Sequence, residues 1–188
     1  MIFRGALPRA LLALCAGALL LLATPRADAQ GLGLARVSAV KAAFLYKFGG
    51  FVEWPTGAFR SNIDPLVIGV FGDEAVASEL EQITQGRNIG GRPIVVRRVR
   101  DNEDLANHHI LFAGGPRETR ARELIAAARG SVLTVSDAPG NGRTGPVLHF
   151  TLDEGRVRFH ASLTAAEARG LRLSARLLAV AQDVEGRS

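Results

Sequence analysis

Beyond residue 65 the chain alternates between apolar runs of strand length and stretches with helical spacing. Leu66-Val67-Ile68-Gly69-Val70-Phe71, Pro93-Ile94-Val95-Val96, Ile110-Leu111-Phe112-Ala113 and Val132-Leu133-Thr134-Val135 lack polar alternation. Such runs suit strands buried on both faces. Helices are predicted between them over residues 74–84 and 117–128, the second opened by Gly114-Gly115-Pro116 and capped by Gly130. A further helix is predicted ahead of the first strand, over residues 38–52, with Ser38 as N-cap and Trp54-Pro55 as its stop. This order predicts an α/β fold: a single three-layer domain with a mainly parallel sheet and helices on both faces.

The pattern then changes. The apolar run from Val147 to Leu152, the turn Asp153-Glu154-Gly155 and an alternating segment with Val157, Phe159 and Ala161 on one face predict a late β-hairpin. Pro146 has no N–H to donate and marks the first arm as an edge strand. Helices over residues 164–169 and 171–183 complete the prediction.

The N-terminus follows a different pattern. Arg4 and Arg9 precede an uncharged apolar run over residues 10–23. A bilayer-spanning helix needs about 20 such residues, so the run is short for one, and an uncleaved membrane anchor is the alternative reading. Ala27-Asp28-Ala29 supplies the small-x-small pattern of signal cleavage. Residues 1–29 are therefore expected to be a cleaved signal peptide, and residues 30–188 one exported domain with no membrane insertion of its own. Cys15 follows Leu14, which does not suit a lipobox.

Export changes the meaning of the charge. The full chain has 23 basic and 18 acidic residues; without the signal segment 20 and 17 remain, a net of +3. A mildly basic exported domain is not expected to meet nucleic acid. Arg92, Arg97, Arg98 and Arg100 are expected to be solvated charge on and beside a strand. The only cysteine leaves with the signal, so disulfides, thiol nucleophiles and cysteine metal sites are excluded from the domain.

Candidate chemistry is sparse. Gly69-Val70-Phe71-Gly72-Asp73 turns from strand to helix but lacks both a dinucleotide fingerprint and a P-loop. His108 and His109 are neighbours on an extended segment and face opposite ways. His149 and His160 fall on opposite hairpin arms as cross-strand neighbours, with no further metal ligand to nominate. All four histidines are expected on the sheet surface. Ser136-Asp137 follows a strand end without the Gly-x-Ser-x-Gly elbow of a nucleophile. No catalytic, cofactor-binding or metal-binding residue is nominated, and the protein is read as not an enzyme. The competing readings are a small-ligand sensor with a pocket near Gly72-Asp73 and Ser136-Asp137, and a hydrolase using Ser136.

Six of the 11 aromatic residues fall within residues 44–59. Core packing is the first account of such a cluster, since a helix packed on a sheet needs such residues, but Phe and Trp are also typical anchors of protein interfaces. The helix that carries part of it precedes the first strand and can lie at the domain edge. Lys41 intrudes on its aromatic face, which a part-exposed face would allow. Phe48, Phe51, Trp54 and Phe59 are the candidate partner-contact residues, and the same helix offers a route to a homodimer.

The segment Val40-Lys41-Ala42-Ala43-Phe44-Leu45-Tyr46-Lys47-Phe48, with Phe51-Val52-Glu53-Trp54-Pro55, resembles the opening of the YfiR-like periplasmic proteins. Ile68-Gly69-Val70-Phe71-Gly72-Asp73, Gly130-Ser131-Val132-Leu133-Thr134-Val135-Ser136-Asp137 and Gly170-Leu171-Arg172-Leu173-Ser174-Ala175-Arg176-Leu177-Leu178 resemble the same family in order. The resemblance implies a periplasmic α/β protein without catalytic activity. It implies as partner the periplasmic sensor region of a membrane diguanylate cyclase, held inactive so that cyclic-di-GMP output and biofilm formation fall. Family members with cysteine pairs have a route to redox sensing that this chain lacks.

Overall fold

The computed structural model describes residues 27–101, 103–138 and 145–186. The chain divides into two compact units, residues 1–34 and 35–188. Of the first, residues 27–34 are described and are helical. The expected signal segment thus lies outside the described residues except for its last three.

The elements are α1 (Ala27–Phe48), β1 (Val52–Glu53), β2 (Leu66–Phe71), α2 (Glu74–Thr84), β3 (Asn88–Ile89), β4 (Arg92–Arg98), β5 (Ile110–Ala113) and α3 (Glu118–Ala127). There follow β6 (Leu133–Ser136), β7 (Leu148–Asp153), β8 (Arg156–Ser162), α4 (Leu163–Glu167), β9 (Arg172–Leu173), α5 (Ala175–Ala179) and β10 (Asp183–Glu185). Eight strands form one sheet in the order β10-β8-β7-β6-β5-β2-β4-β3. From β4 to β7 the neighbours are all parallel. The β7–β8 hairpin is antiparallel and sets His149 opposite His160, as its alternation predicts.

Side chains on the two sheet faces enter different cores. Leu66, Ile68 and Val70 pack with Ala42, Leu45 and Phe48 of α1 and Val76 and Leu80 of α2. Phe71, Leu111 and Ala113 pack with Ala121, Leu124 and Ile125 of α3. Helices therefore cover both faces of a mainly parallel sheet, the arrangement that strands apolar on both sides require. α2 has the predicted bounds because Asp73 caps it, its Oδ1 accepting from the Val76 N–H at 3.0 Å.

Four local expectations are corrected. α1 begins at Ala27, so Ser38 is an interior helical residue; the helix stops at Phe48, where Gly49-Gly50 would each cost about 1 kcal/mol to continue it. Gly49 also permits close packing, since a Cβ there would stand 2.8 Å from side-chain atoms of Ile89 and Leu66. α1 is no edge element: Ala42, Leu45 and Phe48 are at most 1% exposed.

The long terminal helix does not form. Arg172 and Leu173 pair with Glu53 and Val52 as a two-stranded sheet, and Ser174 then caps a five-residue helix through the Leu177 N–H. Tertiary pairing overrides the helical periodicity of that segment. Nor is the first hairpin arm an edge: β7 lies between β6 and β8. Pro146 precedes the strand, and the next N–H, that of Val147, donates to Thr134 Oγ1 at 3.1 Å.

Candidate functional site

The aromatic cluster separates into two groups. Phe44 and Phe48 pack with Phe150 and Phe159, and Phe48 stands 5.1 Å from the Phe159 ring centre. At 1% exposure Phe48 offers no surface to a partner, so this candidate contact is corrected to a core residue. Phe51, Trp54 and Phe59 remain partly exposed beyond the end of α1. They lie on a rim whose backbone is held by β1–β9 pairing and by the Ser174 N–H donating to Phe51 O at 3.0 Å. The first and last of the resembling segments thus meet in space.

The rim is rigid because its rings are stacked. Phe59 lies parallel to His109 at 4.1 Å, and the Arg92 guanidinium lies 3.8 Å from the Phe59 ring centre. Two groups that close to one ring must occupy opposite faces, so Phe59 is sandwiched. Trp54 meets both rings edge-on, at 6.0 Å from Phe59 and 6.5 Å from His109. Arg92 is itself held by the carbonyls of Ser61 and Asp64, at 2.7 and 3.0 Å. The arginine cluster around it is no single patch: Arg97 and Arg98 fall on opposite faces of β4, and Arg98 pairs with Glu74 and Glu81 of α2.

His108 and His109 are more deeply placed than expected, whereas the His160 side chain is 39% exposed. The Val67 N–H donates to His109 Nδ1 at 3.1 Å, so the proton of the neutral ring is on Nε2, 3.2 Å from Ala58 O. Burial is the main cause that pushes the His109 pKa below its ordinary value, with Arg92 adding to it. His108 is 3% exposed, and neither of its ring nitrogens has a hydrogen-bond partner. It lies on Gly69, where a Cβ would come within 2.6 Å of the imidazole. Burial also lowers the pKa of His108 and of His149. A visible sign was available: His108-His109 directly precedes a strand with no exposed residue.

These shifts set a pH dependence. A histidine whose folded pKa lies below its unfolded value of 6.5 binds more protons in the unfolded state between the two values. Its contribution to stability is present above 6.5 and is lost as pH falls through the folded value. The lowered carboxylates Asp64, Glu74 and Asp101 titrate below 4.5 and stay outside that window. The unfolding temperature is expected to drop between about pH 7 and pH 5; a flat profile in thermal melts over that range would contradict the burial of these rings.

The strand ends at Gly72-Asp73 and Ser136-Asp137, where the competing small-ligand reading puts its pocket, are closed by the protein itself. A Cβ on Gly72 would stand 2.1 Å from Gly114 O, and one on Gly114 would stand 2.1 Å from Asp137 Oδ1. The Asp137 carboxylate accepts from the Gly115 N–H at 3.1 Å and is paired with Lys41. An internal anion thus occupies the crevice where open α/β sheets hold ligands. The Ser136 hydroxyl donates to Ala113 O at 2.6 Å and accepts from the Ala138 N–H at 3.1 Å, which commits it to a turn. A cavity of about 850 Å3 lies instead at the opposite edge, over the amino ends of β2, β5 and β6. Among the described residues no group of three or more histidines, cysteines and carboxylates is arranged to hold a metal ion. Nor is any described helix long and apolar enough to cross a membrane.

Among curated proteins no match was found. The model of the YfiR/HmsC-like family matches residues 38–182, a span that takes in α1 from Ser38 onward, the aromatic rim and the sheet as far as β8, and the chain belongs to that family.

Proposed function

We propose that this protein is a non-enzymatic periplasmic regulator, exported by residues 1–29, that docks on the periplasmic sensor region of a membrane diguanylate cyclase. Docking favours the inactive conformation of the cyclase, so that cyclic-di-GMP output and biofilm formation fall. Family membership supports the regulatory role and the link to a diguanylate cyclase. The observation that carries the docking surface is the rim: Phe51, Trp54 and Phe59 are partly exposed, Phe59 is stacked between His109 and Arg92, and Trp54 packs edge-on against Phe59 and His109. Rings held in place before contact lose little freedom on binding, which suits them as anchors.

Suppressing the cyclase a hundredfold requires a preference of about 2.7 kcal/mol for its inactive form. Two aromatic anchors, at about 2 kcal/mol each, are sufficient. Calorimetric titration of residues 30–188 with the periplasmic segment of a co-encoded membrane cyclase tests the reading. Saturable binding is expected, weakened about thirtyfold or more by Trp54→Ala or Phe59→Ala. Undiminished affinity in a folded Trp54→Ala/Phe59→Ala double variant would remove the rim from the interface. Absence of binding by the folded wild-type chain would remove the cyclase.

A further inference from the structure

The cavity at the amino ends of β2, β5 and β6 is strongly basic. The residues that line it include three arginines, Arg60, Arg97 and Arg129, and a single acidic residue, Asp64. The carboxylate is already engaged: it accepts from the backbone N–H groups of Arg60 and Ser61, at 2.9 and 3.1 Å, and from the Ser61 hydroxyl at 2.7 Å. Arg60 donates to Asn107 Oδ1 at 3.0 Å, and Arg129 to the carbonyls of Ala126 and Ala128. Among the described residues none of the three forms a salt bridge. Three arginines therefore border one concavity that holds a single carboxylate, that of Asp64 beside Arg60.

His108 forms part of the same wall; it is 3% exposed and its ring nitrogens are buried. At about 850 Å3 the cavity is of the size that encloses metabolites.

We propose that this cavity binds a small organic anion bearing carboxylate or phosphate groups, with Arg60, Arg97 and Arg129 as the anion-binding residues and His108 as the buried polar wall. Guanidinium groups suit both headgroups, since each presents a planar fork of donors to paired oxygens. Phe59 belongs both to the cavity wall and to the aromatic rim. The site itself does not depend on the identity of any protein partner.

The test uses residues 30–188 alone, so its failure is distinguishable from failure of the cyclase reading. Citrate and inorganic phosphate are titrated calorimetrically into the wild type and into an Arg97→Gln/Arg129→Gln variant, at about 50 mM salt to limit screening. Both arginines are exposed, so the variant is expected to fold as the wild type does. Saturable one-to-one binding of at least one probe is expected, with Kd below about 1 mM. The variant is expected to bind tenfold or more weakly. Saturation by citrate alone assigns a carboxylate ligand, and saturation by phosphate assigns a phosphorylated one. No saturation by either probe up to about 10 mM, or binding that the variant retains in full, overturns the proposal.

Discussion

Phe48→Ala is expected to lower the stability of the folded unit by about 3–5 kcal/mol, the usual cost of truncating a buried Phe. The ring is 1% exposed and lies 5.7, 5.8 and 5.1 Å from the rings of Phe44, Phe150 and Phe159. Its loss leaves a void between α1 and the β7–β8 hairpin that rigid aromatic neighbours fill poorly. The unfolding temperature should fall by roughly 6–20 °C, at about 2–4 °C per kcal/mol for a domain of this size. Denaturant melts of the variant, compared with Phe51→Ala and Trp54→Ala, provide the check. If Phe48→Ala cost less than either of those, α1 would not pack on the hairpin as described. The contrast matters for function, because it separates residues that hold the fold from residues free to meet a partner.

The second large effect is expected at Lys41 and Asp137. Their side chains are 11% and 14% exposed, and the pair ties α1 to the loop after β6. Removing one partner strands the other charge in a largely dry site, at a cost of about 3–5 kcal/mol. Lys41→Met leaves the carboxylate with the Gly115 N–H; Asp137→Asn keeps an acceptor for that N–H but abandons the ammonium. The double variant Lys41→Met/Asp137→Asn has no unpaired charge and should recover much of the loss. A double-mutant cycle from urea melts should therefore give a coupling above about 1.5 kcal/mol, whereas independent sites add to within about 0.5 kcal/mol. Additive single losses would mean that the pair contributes nothing as a pair. Because Asp137 also closes the strand-end crevice against Gly114 and Gly115, the same variants report whether that closure needs the Lys41 charge.

Most of the architecture was legible along the chain. Unbroken apolar runs at residues 66–71 and 110–113 became strands with those bounds, and residues 74–84 became α2, with Asp73 as its cap. Alternation at Val157, Phe159 and Ala161 placed those three side chains in the core. These features rest on interactions between residues near one another in sequence, or on a face pattern that any partner surface satisfies. Where a segment's fate depended on one particular distant partner, local pattern misled. Residues 171–183 have helical spacing, but Val52 and Glu53 capture Arg172 and Leu173 as a strand.

The site divides along the same line. By itself the sequence determined that the aromatic residues cluster before the first long strand, and that no ready-made catalytic or metal-binding pattern accompanies them. It equally carried the segments by which the family is recognised. Only the tertiary structure decided that Phe48 belongs to the core while Phe59 is sandwiched at the rim. It also decided that Lys41, read as a sign of exposure, is buried against a carboxylate 96 positions away. The open concavity moved with it, from the carboxyl ends of the strands to the amino ends. The reason is physical: periodicity along a chain records which side of an element faces apolar surroundings. Which charge neutralises which, and which crevice is left unfilled, depends on packing between elements that share no local signal.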